Sequence, residues 1–113
     1  MVPGLPHHVT QRGNGGARTF FSNDDYAFYR DLLASSRRAD GVEIWAYVLT
    51  PNHVHLILTP SDADGLRRAL APVPRRYAGF IHARRKRAGY FWQGRFGAAA
   101  MDEEHLGLWR QRA

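Results

Sequence analysis

The chain has 113 residues, 44% hydrophobic and 12% aromatic, enough for one buried core but not two, and this excludes a disordered chain. No apolar run approaches the roughly 18 residues that cross a bilayer; the start MVPGLPHHVT is not a signal peptide; and the absence of cysteine removes disulfides, thiolate metal sites and cysteine nucleophiles. The net charge of +6 divides unevenly: residues 1–64 hold five Arg against seven acids, residues 65–113 ten Arg and one Lys against three acids, which makes the second half the candidate polyanion surface.

A single cytoplasmic domain over residues 1–113 is the expectation. HHVTQRG (7–13) reads as a first strand, followed by a glycine-rich turn NGGA (14–17). Ser22-Asn23-Asp24-Asp25 offers an N-cap with acids in the first turn. Tyr26, Phe28, Tyr29, Leu32 and Leu33 then supply the apolar face of a helix over about 24–39, stopped by Asp40-Gly41. VEIWAYVLT (42–50) and HVHLILT (53–59) read as a hairpin turned at Pro51-Asn52.

Residues 64–88 have helical composition, with Leu66, Leu70, Tyr77, Phe80 and Ile81 on one face and arginines on the other; Pro72 and Pro74 must kink or break this helix, and Gly89 ends it. YFWQGRFGAAAM (90–101) reads as a fourth strand with a glycine bulge, and Asp102-Glu103-Glu104 begins a last, incomplete helix. The order β-α-β-β-α-β-α is that of an α+β fold, a ferredoxin-like plait with a four-stranded antiparallel sheet and helices on one face.

The stretch TPNHVHLIL (50–58) places His53 and His55 two apart on a strand, so both imidazoles project from one face about 6.5 Å apart along it. The bland reading is two histidines on a half-exposed strand face. Three features favour a shared ligand: Val54, Leu56 and Leu58 fix the strand in a sheet; Asn52 is placed to orient an imidazole; and a basic half that binds phosphates has a use for a metal. Fifteen of the sixteen basic residues are arginine, whose planar fork matches phosphate. Arg75, Arg76, Arg84, Arg85 and Arg87, with Arg12 and Arg95 from the flanking segments, are the candidate DNA-binding set.

TPNHVHLIL resembles the His-hydrophobe-His (HUH) motif of the single-tyrosine transposases of bacterial insertion sequences, and of their relatives associated with repetitive extragenic palindromes (REP). PHHVTQRGN, AYVLTPNHVHLIL and GYFWQGRF occur in the order and spacing typical of the REP-associated group and together cover nearly the whole chain. The resemblance implies that His53 and His55 hold a divalent metal, Mg²⁺ or Mn²⁺, which polarises the scissile phosphate of single-stranded DNA, often beside a hairpin. It further implies that a tyrosine on the last helix attacks phosphorus to leave a 5′-phosphotyrosine, so that strands can be cleaved and rejoined in DNA transposition. Two imidazoles are softer than Mg²⁺ prefers, so ligand type alone favours Zn²⁺, Mn²⁺ or Ni²⁺ in vitro.

The chain departs from that pattern at its end. DEEHLGLWRQRA matches the tyrosine-bearing helix through about Leu106; the tyrosine's position falls near Arg112, and no tyrosine follows Tyr90. Thr50 also stands where a methionine is usual. Tyr77, on an apolar stripe, and Tyr90, beside Phe91 and Trp92 in an expected aromatic cluster, read as structural and not as substitutes. Four readings follow. The chain is a truncated or frameshifted transposase impaired in chemistry; its tyrosine comes from a full-length partner chain, in the manner of family homodimers that exchange their last helix; it is a non-catalytic DNA-binding module on the same scaffold; or, least favoured because histidines stand where aromatics are needed, it is an RNA-binding plait.

Overall fold

The computed structural model describes residues 5–40, 42–59, 68, 70–94 and 97–100. Strand β1 (His7–Arg12) leads through a one-turn 3-10 segment (Asn14–Gly16) to helix α1 (Asn23–Asp40), then β2 (Glu43–Thr50), β3 (His53–Thr59), α2 (Pro72–Arg85) and β4 (Gly97–Ala100). The strands pair antiparallel in the order β2-β3-β1-β4. An antiparallel sheet with two helices is the α+β class expected.

Helix α1 starts where the sequence places an N-cap. Ser22 Oγ accepts the Asp25 N–H at 3.4 Å, one of the helix's orphan donors, while Asp25 Oδ2 reaches back to the Phe21 N–H just before the cap at 2.9 Å, a variant of the capping box. The β2–β3 turn is the two-residue Pro51-Asn52 connection, closed by Thr50 Oγ1 accepting the His53 N–H at 3.1 Å.

Strand alternation separates two faces. Val9, Val54, Leu56 and Leu58 point to one side, where they bury against Tyr29 and Leu33 of α1, Val73, Tyr77 and Ile81 of α2, and Phe20, Val42, Leu70 and Trp92. Both described helices therefore back the same face. On the other face Ile57 is fully buried with Ala46 and Val48 beside it.

Of the kink or break expected at the prolines, the break is found: Ala71 lies in a turn, and Pro72 and Pro74 open α2 in its first turn, where proline's missing N–H has no intrahelical partner to lose. Of the expected helical stretch, residues 64–67 and 69 lie outside the described residues. Helix α2 ends at Arg85, before the expected Gly89. Lys86 takes the left-handed conformation (φ 53°), and the Lys86 and Arg87 N–H groups both turn back to the His82 carbonyl, a Schellman-type stop. The buried stripe of α2 is Val73, Tyr77 and Ile81; Phe80, expected on it, is 46% exposed, lying beside Phe28 at 4.6 Å between ring centroids.

The fourth strand is shorter than expected. Residues 90–94 are irregular apart from a Gly13–Trp92 bridge, and the strand is Gly97–Ala100. Tyr90, expected within an aromatic cluster, is 88% exposed, while Phe91 and Trp92 pack against Tyr77. Trp92 is anchored by its indole N–H, which donates to the Pro74 carbonyl at 2.9 Å, as a buried Trp requires. The last helix from Asp102, with Arg112, lies outside the described residues, as does Arg95.

Candidate functional site

His53 and His55 do share a face. Their rings lie 5.9 Å apart between centroids with planes 20° from parallel, both half-buried, on the side of the sheet opposite the helices. Adjacent β1 contributes from the same face: Arg12 is the cross-strand partner of His53, Thr10 that of His55, and His8 sits diagonally beyond.

Asn52 orients His53. Its Oδ1 lies 2.8 Å from His53 Nδ1, and its Nδ2 donates to the Gly16 carbonyl at 3.4 Å, which assigns the amide so that the oxygen faces the ring. An amide oxygen only accepts, so Nδ1 of His53 is the donor, and in the neutral ring the lone pair falls on Nε2. Burial first, and the neighbouring His53 second, hold the His55 pKa below the usual imidazole value, favouring the neutral form that can ligate a metal.

The three sequence segments meet at this end of the sheet. The Gly13 N–H donates to the Asn52 carbonyl (3.0 Å), the Asn14 N–H to the Phe91 carbonyl (3.0 Å), the Gln93 N–H to the Arg12 carbonyl (2.8 Å), and Gln11 Nε2 to the Gly94 carbonyl (3.0 Å). The Thr19 and Phe20 N–H groups both donate to the Pro51 carbonyl. PHHVTQRGN, TPNH and FWQG are therefore one stitched unit around the turn that presents His53.

The arginines divide. Arg12 is exposed on the histidine face, whereas Arg75, Arg76, Arg85 and Arg87 are exposed on or just after α2, on the helix side. Arg85 lies 4.1 Å over the Phe21 ring, and Arg18, which the sequence reading passed over, lies 5.9 Å from the same ring and donates to the Phe20 carbonyl, so two cations gather near the start of α1. Arg84 is a correction: both its terminal nitrogens bind Asp25, at 2.6 and 2.9 Å, so its fork is already occupied by a carboxylate. Tyr77 is fully buried and donates its hydroxyl to the Thr19 carbonyl at 2.8 Å, as a core residue.

Sequence reasoning missed His8. Its Nε2 lies 3.3 Å from His55 Nδ1, with ring centroids 5.5 Å apart. The alternation in HHVTQR puts His8 on the face of Thr10 and Arg12, but only the β1–β3 register, set by residues far apart in sequence, puts it beside His55.

For a divalent metal, the donor set that fits is the pair of neutral imidazoles, with the His53 ring held by Asn52. Among the described residues no group of three or more His, Cys, Asp or Glu side chains is placed to hold one. Two nitrogen ligands would leave the remaining coordination positions to water or a ligand's oxygens.

The chain belongs to the family of IS200-like transposases, whose sequence pattern matches residues 9–111 and so runs past Leu106. No curated protein matches it. Among solved structures it is similar to a REP-associated tyrosine transposase bound to a REP hairpin, at 20% identity and TM-score 0.67, over 98% of this chain and 63% of that one. It is also similar to a candidate transposase from Deinococcus radiodurans, at 20% identity and TM-score 0.69, over 99% of this chain and 90% of that one. The chain thus spans less than two thirds of the hairpin-bound structure.

Proposed function

We propose that this chain is a single ferredoxin-like domain that binds single-stranded or hairpin DNA and holds one divalent ion, Mg²⁺ or Mn²⁺, on His53 and His55. The observation that carries the reading is the histidine pair on one face of the sheet, with Asn52 holding the His53 ring by its Nδ1. The strand order β2-β3-β1-β4 supports the plait, and family membership with a hairpin-bound neighbour supports the class of nucleic acid. When bound, such an ion supplies Lewis-acid polarisation of a phosphate oxygen. The chain's own residues orient that site, through Asn52, and neutralise backbone phosphates, through Arg12 beside His53 and the exposed arginines of α2. A cytoplasmic location fits an agent acting on DNA, and no helix among the described residues is long and apolar enough to cross a membrane.

Strand cleavage and rejoining is the activity of the whole site with its tyrosine. Within these 113 residues no tyrosine follows Tyr90, and this favours binding without cleavage by these residues alone, with cleavage requiring a tyrosine brought by a second, tyrosine-bearing chain. The test is calorimetric titration of Mn²⁺ into the wild-type chain and a His53→Ala/His55→Ala variant, with and without a DNA hairpin. One weak site lost in the variant is expected. Unchanged metal binding in the double variant, or no hairpin binding by the wild type, overturns the reading.

A further inference from the structure

We propose that His8 is a positioning residue that fixes the tautomer of His55, an inference that rests on the metal reading above. Of the two imidazoles, His53 has its Nδ1 assigned by Asn52. His55 has its Nδ1 facing His8 Nε2 at 3.3 Å, across the β1–β3 pairing. One nitrogen of that pair donates and the other accepts.

If His55 donates from Nδ1, its Nε2 is left with a lone pair, as in His53, and the two stacked rings offer matching nitrogens to one ion. If His8 donates, the His55 proton sits on Nε2 and blocks ligation. A ligating imidazole almost always donates its other N–H to a fixed acceptor, so the geometry points to His8 Nε2 as that acceptor. His8 is well suited to the role because it is held on a paired strand: its neighbour Val9 is buried in the core, and Thr10 sits opposite His55 itself. A positioning role, and not a third ligand position, also agrees with the absence, among the described residues, of a three-residue cluster placed to hold a metal.

The experiment uses the ¹⁵N-labelled full chain without metal, followed by Mn²⁺ titration. Long-range ¹H–¹⁵N correlation spectra of the imidazoles report which nitrogen carries the proton, and the amide region of the same sample reports folding. Wild-type His55 is expected as the Nδ1–H tautomer. In His8→Ala it should shift to Nε2–H while His53 stays unchanged, and Mn²⁺ affinity should fall about ten- to a hundredfold. In His8→Gln, whose amide oxygen can accept the same proton, the Nδ1–H tautomer and most of the affinity should return. His55 found as Nε2–H in the wild type, or unmoved by His8→Ala, overturns the proposal. So does a His8→Gln chain that keeps the tautomer but loses as much affinity as His8→Ala, since that makes His8 itself a ligand. A wild-type chain that binds no Mn²⁺ yet shows the expected tautomers overturns the metal reading while supporting the hydrogen bond.

Discussion

Arg84 grips Asp25 with both terminal nitrogens, Nη1 to Oδ1 at 2.6 Å and Nη2 to Oδ2 at 2.9 Å, and so clamps the last turn of α2 onto the first turn of α1. The carboxylate is 1% exposed and the arginine side chain 39%, so the pair is shielded on one side only. The Arg84 hydrogen bond first, then the Phe21 N–H, the Arg84 charge and the Ser22 contact, hold the Asp25 pKa below the usual carboxylate range against the opposing cost of burial. Arg84→Ala leaves a buried carboxylate without its main partner and should cost about 1–3 kcal/mol, discounted toward the lower end because solvent reaches the guanidinium. A group with a depressed folded pKa stabilises above its unfolded pKa, about 3.9 for Asp, and loses that contribution as pH falls through the folded value. Urea unfolding from pH 7 down to pH 2 should therefore show a loss of stability below about pH 4 that Asp25→Asn flattens.

Gly13→Ala should disrupt the stitched end of the sheet. The backbone at Gly13 is ordinary (φ −62°), so the constraint is space: a Cβ there would run into the Ala17 carbonyl oxygen and meet Thr19 Cγ2 at 2.9 Å. Backbone must move, at a cost of about 1–3 kcal/mol or more. Because the Gly13 N–H holds the Asn52 carbonyl, the shift should reach His53. Thermal melting is expected to fall by several degrees, and Mn²⁺ affinity to weaken in protein that is still folded at the assay temperature. Gly15→Ala, at a positive φ with open space around it, should cost stability only and leave the metal site alone.

Asn52→Ala isolates the orienting hydrogen bond. Without Oδ1 the His53 ring loses the acceptor that holds its proton on Nδ1, and Mn²⁺ affinity should drop about ten- to a hundredfold by calorimetry. Asn52→Asp keeps an acceptor and should retain binding, whereas equal loss in both variants would show that the turn itself, and not the oxygen, is what matters.

The elements governed by local rules were legible. The α1 cap at Ser22, the Pro51-Asn52 hairpin and the shared face of His53 and His55 follow from spacing of a few residues. Whatever depends on a distant partner was not. Nothing near Arg84 announces that Asp25, 59 positions earlier, takes its fork, and nothing near His8 announces His55. Pro72 and Pro74 were read correctly as an interruption, but composition on either side does not say that they begin a helix. The FWQG stretch reads as strand because it is aromatic, yet its aromatic side chains fill the core from an irregular segment while its backbone bonds go to Arg12 and Asn14.

Arginines that neutralise phosphates predict a salt signature. Hairpin affinity should fall linearly on a log–log plot against salt, and removing Arg12, Arg75, Arg76, Arg85 or Arg87 should reduce the slope by up to about 0.7–0.9 for each phosphate no longer neutralised. Arg84→Ala should lower the melting temperature while leaving the slope nearly unchanged, because its guanidinium is committed to Asp25. A flat salt dependence in the wild type, or an Arg84→Ala slope as reduced as that of Arg85→Ala, would contradict this division.

The single-tyrosine mechanism needs a tyrosine whose oxygen can reach phosphorus. Tyr77 is fully buried, its hydroxyl donates to the Thr19 carbonyl, and burial pushes its pKa upward; burial does the same to Tyr29. Tyr47 pairs with core-facing Leu56 and so belongs to the helix side of the sheet, away from the histidines. Tyr26 stacks on buried Phe20 at 4.6 Å between ring centroids. Only Tyr90 among the five is nearly fully exposed, and it precedes Phe91, whose carbonyl takes the Asn14 N–H near the histidine end of the sheet. It lies on irregular backbone with no helix to hold it in line. Losing a positioned nucleophile typically costs several powers of ten in rate. The purified chain, given hairpin DNA with Mg²⁺ or Mn²⁺, should therefore show no covalent protein–DNA band on a denaturing gel while still retarding the hairpin on a native one. Tyr77→Phe should lose about 1 kcal/mol of stability from the missing Thr19 hydrogen bond and leave hairpin retardation intact. A band that vanishes in Tyr90→Phe would make Tyr90 a relocated nucleophile and reverse the conclusion.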